Sequence, residues 1–330
     1  MKSSRLGFMA EDKPKMLITT FPVARYRFEW RVTKPIRLPD YAGSALRGAF
    51  GHALRQLSCM TRQKDCTACP LLTSCPYPAI FAPTPPKQHS LQVFSHIPVP
   101  YVIEAPEEAA RTYAPGELFS FHVVLIGRAL KELPLIILAW RRALARGLAA
   151  GDGTAELVRV IHCDSGGDMI VHIPDVGAVL SHQQRVPVNP ASLGSLAPTR
   201  VTLHIFTPLR LQQNGYAIRQ EKLEARTLLM AIVRRANLLG EFHGEGPITE
   251  SFAALHAAAV DIRDIKALTW RDWTRYSSRQ EQKMTLGGVV GEWSLEGNLA
   301  PFLPYLHLGQ WLHAGKEAVF GLGGYRLAVA

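Results

Sequence analysis

Twice along this 330-residue chain the hydrophobic period passes through the same changes, and that repetition limits the fold more than any other feature. Residues 16–34 (MLITTFPVARYRFEWRVTK) alternate and are rich in β-branched and aromatic types, the pattern of a strand. Pro39 and Asp40 make a turn, and Gly43 to Leu57 then place small and apolar residues at helical spacing. Glycine is a poor helix former, so the glycines of that segment must be there for their small size. Residues 92–104 and 117–127 read as a strand pair, and 130–149 as an amphipathic helix with Pro134 in its first turn. Strands follow at 155–163 and 168–173. The order β-α-β-β-α-β is the split βαβ, or ferredoxin-like, unit. Past a stretch of low periodicity at 182–198 the pattern restarts. A strand is expected at 200–212, a long helix at 219–242, a glycine-interrupted strand at 284–296, a short helix at 299–312 and a closing strand at 315–329. The expected class is α+β: two tandem ferredoxin-like domains, 1–190 and 191–330, the first with a small four-cysteine metal-binding insertion at 59–81.

A hydrophobic fraction of 47% and a charged fraction of 19% give each half enough apolar material for a core. The net charge of +10 points to an anionic partner. Residues 1–64 hold 13 lysines and arginines against 4 acidic residues, and the remaining 266 hold 24 against 23. So local an excess is an electrostatic footprint, whereas a merely basic protein would spread its charge. The first residues lack the apolar core of a secretory signal. The strongest apolar run, Leu133 to Trp140, is far shorter than the roughly 20 residues of a membrane helix and is followed by Arg141 and Arg142. A cytoplasmic protein without a membrane span is expected.

Four of the five cysteines, Cys59, Cys66, Cys69 and Cys75, fall within 17 residues. Cys66-Thr-Ala-Cys69 has the knuckle spacing that lets two sulfurs reach one ion, and a reducing compartment favours metal over disulfides. A structural zinc held by four thiolates is the leading expectation, and an iron–sulfur cluster is the alternative. Cys163 stands alone in a strand-like run and reads as a small core residue.

The chain closes with HAGKEAVFGLGGYRLAVA. A nucleotide-binding glycine loop must open a helix, and only six residues follow Gly324. What is left is either a sharply bent hairpin or a loop whose backbone approaches a phosphodiester chain. Several ordered segments carry a resemblance here: TPLRL (Thr207 to Leu211), RRANLL (Arg234 to Leu239), RYSSRQ (Arg275 to Gln280), LGGVVGE (Leu286 to Glu292) and LHAGKEAVFGLGGY (Leu312 to Tyr325). Upstream, GSALRGAFGHALRQL, the cysteines and CPYPAIF (Cys75 to Phe81) add to it. Together they resemble the CRISPR-associated pre-crRNA-processing endoribonucleases of the RAMP (repeat-associated mysterious protein) superfamily.

That resemblance implies two ferredoxin-like domains that bind CRISPR repeat RNA and cut it at one site by attack of the 2′-hydroxyl. The products are a 2′,3′-cyclic phosphate and a 5′-hydroxyl, and no catalytic metal is required. Such a reaction needs a base, an acid and a cation. The resemblance points to His52 in the first helix, with Tyr41 before it and Arg55 near the same helix face in support. Expected RNA contacts are Arg47, Arg62 and Lys64 around the first helix, and Arg275, Arg279 and Lys283 around Trp273 and Tyr276. His313, Lys316, Gly321 and Gly323 in the glycine-rich segment join them. His243 reads as a structural residue, partly positive at a helix end. His96, His122 and His204 read as sheet residues. The partners implied are the repeat RNA and other CRISPR effector subunits. Two rivals remain: a non-cleaving crRNA-binding subunit, and a zinc-dependent DNA-binding module.

Overall fold

The computed structural model describes residues 16–86, 96–106, 110–148, 153–189, 198–249, 251–277 and 282–329, the side chains of 274–277 and 282–285 excepted. A first antiparallel sheet is built from β1 (Val23–Val32), β2 (Tyr101–Glu104), β3 (Leu118–Ile126), β4 (Ala155–Asp164) and β5 (Gly167–His172) in the order β2-β3-β1-β4-β5. The alternation legible in β1 sets its two faces. Tyr26, Phe28 and Trp30 are fully buried beneath α1 (Gly43–Ser58) and α3 (Leu133–Arg146). There Phe121 and Trp140 meet with ring centroids 4.6 Å apart and Phe50 stacks on Trp140 at 5.0 Å. Arg25, Arg27 and Glu29 point to the other face, as the two-residue period requires.

The second sheet comprises β6 (Arg200–Leu209), β7 (Arg263–Ser277), β8 (Gln282–Glu296) and β9 (Tyr325–Val329) in the order β7-β8-β6-β9. Its inner face buries Leu203, Ile205, Trp293 and Leu295 against α4 (Ala225–His243) and α6 (Leu303–Leu312), and the short α5 (Phe252–Ala258) lies between these two in the chain. Taking each sheet's first four strands in chain order, both read 2-3-1-4, with a helix after the first strand and another after the third. That is the ferredoxin-like unit, present in tandem. Val23, Val102, Val124 and Ile126 join the second core, so part of the first sheet's open face is covered by the helices of the second unit.

Three details differ from expectation. Strand β7 was not anticipated, because RDIKALTWRDWTRYS carries polar residues on both faces and forms the sheet edge. The helix expected over 219–242 begins only at Ala225. The closing strand begins only at Tyr325, since Gly321 and Gly323 have positive φ and turn the chain just before it. The glycines of α1 find their reason in close approach: a Cβ on Gly43 would lie 2.1 Å from the Phe320 carbonyl oxygen, and one on Gly51 2.2 Å from the Phe81 ring. Gly48 faces open space and nothing in the structure explains it.

Candidate nucleic-acid interface

The open faces of the two sheets meet around a cleft of about 850 Å³. From the first unit it is lined by Arg25, Glu104, Arg111, Ser120 and His122, and at the mouth by Asp40 and Tyr41. Phe206, Arg271, Trp273, His313, Gly321 and Arg326 line it from the second. Four arginines face two carboxylates, and one of those is neutralised. Glu104 accepts from Arg25 at 2.9 Å and from the His313 ring at 2.9 Å. Burial would raise its pKa, but Arg25 and His313 outweigh that and hold it at about 2. Arg25 also donates to the Gln310 carbonyl (2.7 Å), tying β1 to α6. His122 is pushed below the usual imidazole range by burial, with Glu104 pulling the other way, so its ring is neutral at pH 7.

The glycine-rich segment packs between the units. Gly321 packs on β2, where a Cβ would lie 2.5 Å from the Ile103 carbonyl oxygen. Gly323 has φ +70° and a Cβ there would stand 1.8 Å from the Ala314 oxygen. The amides of Gly321, Gly323 and Gly324 donate to Ala318, to Pro208 and to the Thr207 hydroxyl respectively, so none of the three is offered outward. His313 is 1% exposed, and its two ring nitrogens face the Leu322 carbonyl and Glu104. Of this segment's expected RNA contacts, Gly321 and His313 line the cleft, Gly323 is buried and Lys316 is exposed outside the lining.

The expected catalytic residues are not brought together. Tyr41 lies at the cleft mouth, 5% exposed, donating to the Phe320 carbonyl (2.7 Å) and stacked on Trp273 at 4.4 Å. His52 is exposed on α1, nine residues beyond Gly43 and hence roughly 13 Å along the helix, and is absent from the cleft lining. Its Nε2 takes a hydrogen bond from the Gln56 amide (2.8 Å), and the Gln56 carbonyl accepts from Arg146. Arg55 donates to the carbonyls of Gln63 (2.6 Å) and Lys64 (2.9 Å), pinning the cysteine segment to α1. Arg47 lies over Phe81 at 4.2 Å and Phe320 at 5.4 Å, joining α1 to α2 (Pro76–Phe81) and to the glycine-rich segment. Arg62 and Lys64 are exposed. Arg275 on β7 and Lys283 on β8 sit near the end of the long hairpin, and Arg279 lies outside the described residues. His243 ends α4 as expected, but its ring is buried, donates to the Pro98 carbonyl (2.6 Å) and is lowered to about 4, chiefly by burial. It is neutral at pH 7, the reverse of the expected partial charge.

Sequence reasoning missed Arg25, Arg111, Arg271, Arg326 and Phe206. Arg25 could have been found, since it lies opposite the Tyr26–Phe28–Trp30 face. Arg271 could not without β7.

The four cysteines line one small cavity of about 20 Å³ between the end of α1 and α2. Burial raises the Cys66 thiol, and Cys59, Cys75 and Cys69 add to the rise. Slight desolvation of Cys59 is outweighed by the Arg62 amide, the Thr61 hydroxyl and Arg55, which lower it. Among the described residues no three donor side chains converge into a ready-made ion site.

No curated protein sequence matches the chain. Solved structures do. A partial Cas6-RT-Cas1–Cas2 complex is similar with a TM-score of 0.56 at 15% identity over 96% of this chain, which spans 47% of that one. A Cas6 product complex gives 0.53 at 16% identity, covering 93% of this chain and 100% of the other. Cas6 of Thermus thermophilus gives 0.52 at 14% identity, covering 94% and 100%. The chain thus spans about half the length of the first of these chains and the whole of the other two. At these identities the likeness is one of fold. Residues 21–186 match a family model described as an N-terminal domain, and 203–325 match that of the CRISPR-associated endoribonuclease Cas6. With the ordered motifs of the second half, residues 203–325 form a domain of the Cas6 family of CRISPR-associated endoribonucleases.

Proposed function

We propose that the protein binds CRISPR repeat RNA in the cleft between its two sheets and cleaves it at one site without a catalytic metal. The observation that carries this reading is the cleft lined by Arg25, Arg111, Arg271 and Arg326 in a chain whose residues 203–325 match an endoribonuclease family. In the reaction a base takes the 2′-hydroxyl proton, O2′ attacks the adjacent phosphorus, the P–O5′ bond breaks and an acid returns a proton to O5′. The base or acid is His52 or His122. His52 is the residue of the resemblance, and His122 is the neutral imidazole inside the cleft. Tyr41 and Arg55 stand as the supporting pair of the same scheme, and Arg47, Arg62, Lys64, Arg275, Arg279, Lys283 and Lys316 as outer backbone contacts. Other CRISPR effector subunits are proposed partners of the RNA-bound form.

One observation favours a second reading, an RNA-binding subunit that does not cut: Tyr41 and Arg55 are both committed to backbone carbonyls and His52 lies outside the cleft. Substituting each histidine separately distinguishes the readings. His52→Ala or His122→Ala, whichever is the working group, should slow cleavage of a synthetic repeat by about 10²–10⁴-fold with binding retained. Wild-type protein that binds the repeat and never cuts it establishes the second reading.

We also propose that Cys59, Cys66, Cys69 and Cys75 hold a structural zinc ion, an iron–sulfur cluster being the alternative. The chemistry of four thiols around one cavity supports it, with the Cys66-Thr-Ala-Cys69 spacing that lets two sulfurs reach one ion. Such an ion would hold the segment between α1 and α2 and take no part in the reaction.

A further inference from the structure

Aromatic side chains are frequent in the cleft, yet nearly all are buried or covered. Tyr41, Tyr113, Phe119, Phe121, Phe320 and Tyr325 are each at most 5% exposed. Trp273 has Tyr41 stacked on its ring and the Arg271 guanidinium 5.3 Å from its centre. Phe206 differs: it is 37% exposed, on a central strand of the second sheet, facing away from α4 and α6. Its strand neighbour Ile205 is buried in the core, so alternation fixes the direction of the Phe206 ring.

That ring is firmly held. Gly324 passes so close beneath it that a Cβ there would lie 2.8 Å from Cζ, and His313 meets it edge-on with centroids 6.4 Å apart. Arg326, from adjacent β9, places its guanidinium 5.6 Å from the ring centre. One exposed phenylalanine is ordinary on a protein surface. One held on its underside by backbone, with a guanidinium over part of the ring and over a third of the side chain still exposed to a cleft lined with arginines, is the arrangement on which an unpaired base stacks while its phosphate meets positive charge.

We infer that Phe206 is a stacking platform for a single unpaired nucleobase, with Arg326 beside it as the cationic partner. The inference rests on the reading that the cleft binds RNA, and it narrows the ligand. The Thr207 hydroxyl next to it is engaged by Gly321 and Gly324, and stacking on a ring face tolerates every base. The site therefore selects for an unstacked nucleotide, with weak preference among bases, and a base-paired position cannot occupy it.

The test uses full-length protein and single-stranded repeat RNA carrying 2-aminopurine at successive positions, with wild type, Phe206→Leu and Phe206→Trp compared by fluorescence and binding titration. Wild type should quench one position strongly. Phe206→Leu should lose that quench and bind roughly five- to hundredfold more weakly, with an unchanged melting temperature, and Phe206→Trp should restore both. Wild-type binding with Phe206→Leu indistinguishable from it would overturn the platform alone. Failure of the wild type to bind the RNA would overturn the cleft reading and the platform with it.

Discussion

Two residues carry consequences set by their own surroundings. His243 is buried and neutral, its pKa lowered to about 4 from the usual 6.5. Below pH 6.5 the unfolded chain takes up a proton that the native ring refuses until about pH 4, so stability falls as pH drops through that window. The loss is on the order of 3 kcal/mol when complete. His243→Gln, which keeps a donor for the Pro98 carbonyl, should flatten the urea midpoint between pH 7 and 4; an unchanged slope would show that the ring titrates normally. Gly323 has left-handed backbone and no room for a Cβ, so Gly323→Ala should cost well over 1 kcal/mol in the same assay. The composition of the glycine-rich segment was legible in the sequence, and a strand rather than a helix follows it. That its amides donate inward to Ala318, Pro208 and Thr207 was not legible, because those acceptors become neighbours only when the sheets form.

Legibility of elements follows how one-sided they are. Strand β1 declared itself because Tyr26, Phe28 and Trp30 face a core while Arg25, Arg27 and Glu29 do not. Strand β7 hid because an edge strand with two polar faces has no apolar period. Helix α1 carries the clearest element-scale prediction. Arg55 holds the Gln63 and Lys64 carbonyls, so Arg55→Ala should loosen the cysteine segment and speed the reaction of its thiols with a disulfide reagent. Slowed RNA cleavage at unchanged thiol reactivity would instead mark Arg55 as a group acting on the phosphate. For the cysteines, one zinc per chain by elemental analysis is expected, lost on Cys66→Ser and Cys69→Ser together. Purified wild type free of metal and stable would exclude the site.

Across the whole molecule, the proposed function depends on the cleft lined by both units. Glu104 of β2 is the shared acceptor for Arg25 and for His313 of the other unit, and Glu104→Gln would leave Arg25 without its counter-charge and weaken the contact to His313. A loss of about 3 kcal/mol is expected, and a midpoint equal to wild type would show that the triad does not hold the units together. RNA affinity should fall steeply with salt. Each cleft arginine removed should lower the slope of log affinity against log salt by about 0.7 for single-stranded RNA. The +10 charge was legible from composition, but its placement was not: the early excess fell partly on Arg47 and Arg55, which lie outside the cleft lining against Phe81 and the Gln63 carbonyl, while Arg271 and Arg326 come from the balanced part of the chain. The most direct measurement is to incubate the purified protein with its own repeat RNA in EDTA, with a zinc add-back control, and analyse the product ends. Cleavage at one position, leaving a 2′,3′-cyclic phosphate and a 5′-hydroxyl, is the predicted result. Intact RNA bound to the protein, or cutting that needs added metal even in the zinc-restored protein, would contradict it.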